Sequence, residues 1–98
     1  KKCAVSVCKA SSPQIRVIAA QAADELLNIK GIDASFVIFK TGGTVNVSAR
    51  SLGSINVQII MEKLGGGGHQ TMAAAQFKDE NEDAVKAKLL SVLDEFLK

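Results

Sequence analysis

Hydrophobic and polar positions follow two periods along the chain, and their alternation sets out the elements. From Cys3 to Cys8 the residues are small or β-branched, which predicts a strand, and Ser11-Ser12-Pro13 breaks it. Ile15, Ile18, Ala19, Ala22, Leu26 and Ile29 then recur at helical spacing. Ser12 is the expected N-cap of this helix, Pro13 its first residue, where the missing N–H removes no helical bond, and Gly31 its terminator. Ala34 to Thr41 places Phe36 and Ile38 on one face of a strand and Val37 and Phe39 on the other, so this strand is expected in the middle of the sheet, covered on both sides. Gly42-Gly43 supplies a turn. Thr44 to Arg50 then alternates Val45, Val47 and Ala49 with Thr44, Asn46, Ser48 and Arg50, the second strand of a hairpin with one polar face.

In the second half, Val57, Ile60, Met61 and Leu64 form one helical stripe within Ile55 to Leu64, ending at four consecutive glycines, Gly65 to Gly68. Met72 to Phe77 fits either a helical turn or a strand: its three alanines favour helix and its flanks look extended. Asp79 and Glu82 resemble the start of a capping box. Val85, Leu89, Val92, Leu93, Phe96 and Leu97 define a final amphipathic helix whose other face, with Lys86, Lys88 and Glu95, is expected to be solvated. The order strand, helix, strand, strand, helix, strand, helix predicts an α/β fold, a mixed β-sheet covered by helices. Its first crossover should be right-handed if the two strands are parallel neighbours.

Composition narrows this picture. The 98 residues suffice for one domain, residues 1–98, and not for two, and 47% hydrophobic with 22% charged residues is an ordinary globular balance. A net charge of +2 is too mild to hold nucleic acid by overall charge, so any anionic ligand must be gripped locally. There is neither a run of eighteen apolar residues nor the apolar stretch of a secretory signal, so no direct membrane contact is expected. The chain opens without Met and is expected to be a piece of a longer polypeptide. Cys3 and Cys8, five apart on a strand, point to opposite faces and are not expected to pair. Free thiols favour a cytoplasmic location.

Gly65-Gly66-Gly67-Gly68-His69 is the least ordinary stretch. One glycine caps a helix, and each further one costs roughly 0.5–1 kcal/mol relative to Ala. A backbone without Cβ atoms can approach a ligand and turn several N–H groups toward an anion, though a flexible connector has the same composition. The only histidine, His69, follows directly and can reach the same ligand; a structural or surface histidine is the alternative. Arg50 can grip a phosphate with two parallel hydrogen bonds or be a surface strand-end arginine, and Ser48 shares its face. With one histidine and no cysteine cluster, little is available for a metal site or a nucleophile and base, and no catalysis is expected from this chain alone.

These residues also form a familiar set. Ser48-Ala49-Arg50-Ser51, Ile55-Asn56-Val57 and Gly65-Gly66-Gly67-Gly68-His69-Gln70-Thr71-Met72-Ala73-Ala74 together resemble the DHH-associated C-terminal domain of the DHH (Asp-His-His) phosphoesterases. The run from Asn56 to His69 is most similar to the membrane-anchored members that linearise cyclic di-AMP. Many relatives have a glycine after the paired alanines, where this chain has Ala75 and Gln76. The resemblance implies a hydrolase whose separate, preceding DHH domain holds manganese, with no cofactor in this segment. It also implies that Ser48, Arg50, Ser51, Gly65, Gly66, Gly67, Gly68 and His69 contact a nucleotide or cyclic dinucleotide. The parent protein would then be membrane-anchored and this domain cytoplasmic. The alternative implied by the same family is a single-stranded nucleic-acid-binding module, as in a RecJ-like exonuclease, a nanoRNase or an alanyl-tRNA synthetase.

Overall fold

A computed structural model describes residues 2–9 and 12–97, so Ser11 of the expected break lies outside the described residues. Among the described residues five strands and three helices follow in the order β1 (Cys3–Cys8), α1 (Ile15–Leu27), β2 (Ala34–Thr41), β3 (Thr44–Ser51), α2 (Val57–Lys63), β4 (Gly67–Gly68), β5 (Met72–Lys78) and α3 (Glu82–Phe96). The single sheet runs β1-β2-β3-β5-β4, with β1 parallel to β2 and the other pairs antiparallel. The mixed α/β sheet is therefore as expected, with one addition: two of the four glycines form the short edge strand β4. Met72 to Lys78 is a strand, which resolves the ambiguity of its alanines in favour of sheet pairing.

Alternation decides the two sides of the sheet. Val5, Phe36, Ile38, Val45, Val47, Ala49, Ala73 and Ala75 face one way and form the main core with Ile60 and Met61 of α2 and Val85, Leu89 and Leu93 of α3. Val37 and Phe39 face the other way onto Ile15, Ala19 and Ala23 of α1, so β2 is covered on both sides. Ser35, on that second side, is fully buried and its hydroxyl donates to the Ala23 carbonyl (2.6 Å), fixing α1 against β2. Cys3 packs with the main core and Cys8 with the smaller one, on opposite faces, both as free thiols.

Three helix details differ from the sequence reading. Ser12 does accept a hydrogen bond at its side chain, but from Gln14 N–H (3.1 Å) in a turn ahead of the helix, and Gln14 is the N-cap. Ile18 and Ile29 are exposed, because Ala19 and Ala23 are the residues small enough to let α1 lie close to the sheet. Asn81, rather than Asp79, caps α3: its side chain accepts from Ala84 N–H (2.7 Å), whereas Asp79 takes a left-handed turn conformation at φ 61°. On α3, Lys88 is also more than solvated, pairing with Glu80 (2.6 Å) while its ammonium lies over the Phe77 ring, 5.5 Å from the centre. No helix among the described residues is long and apolar enough to cross a membrane.

Candidate functional site

Two demands account for three of the four glycines: the turn that ends α2 and packing against β5. Asn56 starts α2 by accepting from Gln58 and Ile59 N–H (3.0 and 3.3 Å), and the helix ends in a Schellman motif. There Gly65 N–H donates to the Glu62 carbonyl (3.1 Å) and Gly66 N–H to the Met61 carbonyl (2.8 Å), with Gly65 at φ 86°, a conformation that disfavours any Cβ. Gly66 and Gly68 are required for packing. A Cβ on Gly66 would overlap the Ala74 carbonyl oxygen, and one on Gly68 would lie 2.5 Å from Ala73 Cα and 2.6 Å from the Met72 carbonyl oxygen. Gly67 differs from its neighbours: its φ is not positive, and a Cβ there would meet nothing within 4 Å. Neither turn geometry nor packing explains its missing side chain.

Register places Gly67 in a row with two other small residues. Gly67 pairs with Ala74, and Ala74 pairs with Ser48, across three adjacent strands. The next row holds Arg50 and Met72, and beyond it the tight turn from His69 to Met72 closes with His69 N–H donating to the Met72 carbonyl (2.7 Å). With neighbouring strands about 4.8 Å apart, Arg50 and the His69 turn flank this floor at roughly 10 Å between backbones. Ser48, Ala74, Met72 and Gln76 lie on the α1 side of the sheet, but the β5 residues among them are exposed, since α1 covers β2 and not β5. A hollow of about 460 Å³ reaches this floor from Gly65 and Gly66 past Ala74 to Gln76 and Lys78.

Arg50 is held but not saturated. Its Nη1 donates to Ser48 Oγ (3.1 Å) and to the Ala49 carbonyl (2.9 Å), so the two site residues expected to share a face do form a polar pair. Its Nε is buried, makes no hydrogen bond among the described residues, and stands 3.5 Å from Asp24 Oδ1 of α1. Asp24 is largely exposed, so the attraction is weak and water-screened. Ser51, by contrast, spends its hydroxyl inside the chain, donating to the Ile55 carbonyl (2.6 Å) and accepting from Gly53 N–H (2.9 Å). Its own N–H donates to the Thr71 carbonyl (3.0 Å), and Gln70 bridges to Gly53 (3.0 Å), which stitches the His69 turn to the end of β3.

The structure thus brings together Ser48, Arg50, Gly67, Gly68 and His69 at one edge of an open sheet face, with Ser51 beneath them as support. Gly65 and Gly66 serve the helix end and the core side. Sequence reading missed Asp24, which only the tertiary approach of α1 brings to Arg50, and Gln70, whose stitching role depends on where Gly53 lies. Among the described residues no three of His, Cys, Asp and Glu gather as a metal could require.

The model of the DHHA1 domain matches residues 2–98. The chain belongs to the DHHA1 domain family. It is 53% identical over 83 residues to the cyclic-di-AMP phosphodiesterase PdeA of Listeria monocytogenes, covering 84% of this chain and 13% of that protein. It is 52% identical over 82 residues to the cyclic-di-AMP phosphodiesterase GdpP of Geobacillus thermodenitrificans, covering 83% of this chain and 12% of that protein. This DHHA1 domain therefore spans about an eighth of the length of these curated relatives. The C-Ala domain of Aquifex aeolicus alanyl-tRNA synthetase shares the fold at a TM-score of 0.69 and 20% identity, over 93% of this chain and 89% of that one.

Proposed function

We propose that this DHHA1 domain is the substrate-holding part of a phosphodiesterase that hydrolyses a cyclic dinucleotide or short oligonucleotide. Its phosphates would lie on the open floor of Ser48, Ala74 and Gly67. Arg50 supplies a charge-assisted grip, Gly67 and Gly68 let the ligand approach the main chain, and exposed His69 donates from the far side. The observation that carries this reading is Gly67, the one glycine of the quartet that neither φ nor packing requires, set in the same row as Ser48 and beside Arg50. The identity to two cyclic-di-AMP phosphodiesterases makes cyclic di-AMP the first ligand to test.

Among the described residues no three of His, Cys, Asp and Glu gather to hold a metal ion, and the manganese expected from the resemblance would be held by a DHH domain elsewhere in the parent protein. What this domain contributes is position and charge. It holds the phosphodiester still and offsets its negative charge, which lowers the entropic and electrostatic parts of the barrier.

Calorimetric titration of cyclic di-AMP into the chain and its Arg50→Ala variant tests this. Arg50→Ala is expected to weaken binding by about 10- to 150-fold, the equivalent of roughly 1.5–3 kcal/mol for a hydrogen bond to a charged group. Equal affinities would refute the assignment. A second reading, a clamp for single-stranded nucleic acid, draws on the exposed row Met72, Ala74, Gln76 and Lys78, which continues the floor along β5 for about 20 Å. No aromatic side chain lies in that row to stack bases, which favours the shorter ligand. An oligonucleotide that outcompetes cyclic di-AMP would reverse that preference.

A further inference from the structure

The sheet has a second edge at which charge is left uncompensated. β5 runs parallel to β1 and β2, because both β2 and β5 are antiparallel to β3. All three strands therefore end at the edge opposite Ser51, and α1 and α3, which follow β1 and β5, both start there. At that edge lies a cavity of about 720 Å³ whose walls include Lys9, Lys40, Arg16, Ser12 and Gly42, with Glu82 as its single acidic member.

The placement of the cations follows from register. Cys8 pairs with Phe39, so Lys9 and Lys40 follow the last ladder pair of two parallel neighbours, at adjacent ends about 4.8 Å apart. Arg16 comes from the first turn of α1 and its guanidinium carbon sits 6.0 Å from the Phe39 ring centre, which anchors it over the end of β2. None of the three has a carboxylate within 4.0 Å among the described residues, whereas Lys88 has Glu80 and Arg50 has Asp24. Lys40 pairs with Val45 and so faces the α3 side of the sheet, whereas Arg16 lies over Phe39 on the α1 side; the cations reach the one cavity around the strand ends, and an anion there would offset their shared charge. The positive ends of the α1 and α3 dipoles add to the same field without being needed for it.

We propose that this edge is a second anion site, taking a ligand with two adjacent phosphate groups, a diphosphate either free or carried on a nucleoside. Set against Glu82, two lysines and an arginine leave the wall with a net charge of +2, and 720 Å³ is more room than one phosphate fills. The site lies at the far end of the strands from Arg50 and Gly67 and does not depend on the function proposed for them.

The test is a nitrogen-15 NMR titration of the 98-residue chain with inorganic pyrophosphate at fixed ionic strength, repeated with orthophosphate, with ADP, and in the variants Lys9→Gln/Lys40→Gln and Arg50→Ala. Lys9 and Lys40 are exposed, and the spectrum of the double variant itself reports whether the fold is kept. Saturable shifts are expected at Lys9, Arg16 and Lys40 to Gly42, at least tenfold weaker with orthophosphate and in the double variant, and unchanged by Arg50→Ala. With that pattern, ADP acting at the same amides assigns the site to nucleoside diphosphates, and ADP without effect there assigns it to the free anion. Shifts that do not saturate, that sodium chloride reproduces, that orthophosphate matches, or that survive the double substitution would overturn the proposal. So would shifts centred on Arg50 and Gly67.

Discussion

At Gly67 an added methyl group meets open space, so Gly67→Ala is expected to leave stability unchanged or raise it by up to about 1 kcal/mol while weakening cyclic dinucleotide binding. Gly66→Ala drives a methyl into the backbone of β5 and is expected to cost about 1–3 kcal/mol. Urea denaturation of the two variants side by side checks the contrast; equal losses would mean that Gly67, too, is structural. A second residue-level prediction concerns Cys3, whose thiol pKa is raised by burial first and by the nearby Asp33 carboxylate second. The folded thiol keeps its proton to higher pH than the unfolded one. Its contribution to stability is therefore intact below the unfolded pKa and lost as pH rises through the folded one. Alkylation of Cys3 at mildly alkaline pH should be slower in the folded chain than in urea, measured by mass spectrometry on a Cys8→Ser background, and equal rates would count against the shift.

For whole elements, the caps carry the clearest consequences. Asn56→Ala removes the acceptor of Gln58 and Ile59 N–H and should cost about 1 kcal/mol, and Asn81→Ala a similar amount at α3, both read from denaturant midpoints. Asp79→Ala removes no cap and should not reproduce the Asn81 loss. Long elements were legible in the chain because their periods are strong: β2 shows apolar residues on both faces, and α2 and α3 each carry one stripe. The alanine-rich segments were not. In α1 the sequence cannot show whether Ile18 or Ala23 meets the sheet, since the choice depends on how closely the helix approaches Ser35. In β5 the alanines join the sheet only because β3 and the glycines of β4 offer them partners. The glycine run concealed a strand for the same reason: two of its members are small to fit β5, a demand visible only once the strands are paired.

Across the molecule, an open face of the sheet and the ends of its parallel strands are two separate places. One carries Ser48, Arg50, Gly67 and His69 and the other Lys9, Lys40 and Arg16. The Ser48 and Arg50 pair was readable from strand alternation, and the nearness of His69 from its place after the glycines. The division of labour among the glycines, the local use of the Ser51 hydroxyl and the approach of Asp24 were not, because each arises from contacts between segments far apart in sequence. The most direct measurement is a crystal structure of the chain with cyclic di-AMP. A phosphate is expected over the row of Ser48, Ala74 and Gly67, with an oxygen within hydrogen-bond distance of the Arg50 guanidinium. A dinucleotide bound on another surface, with that row bare, would contradict it.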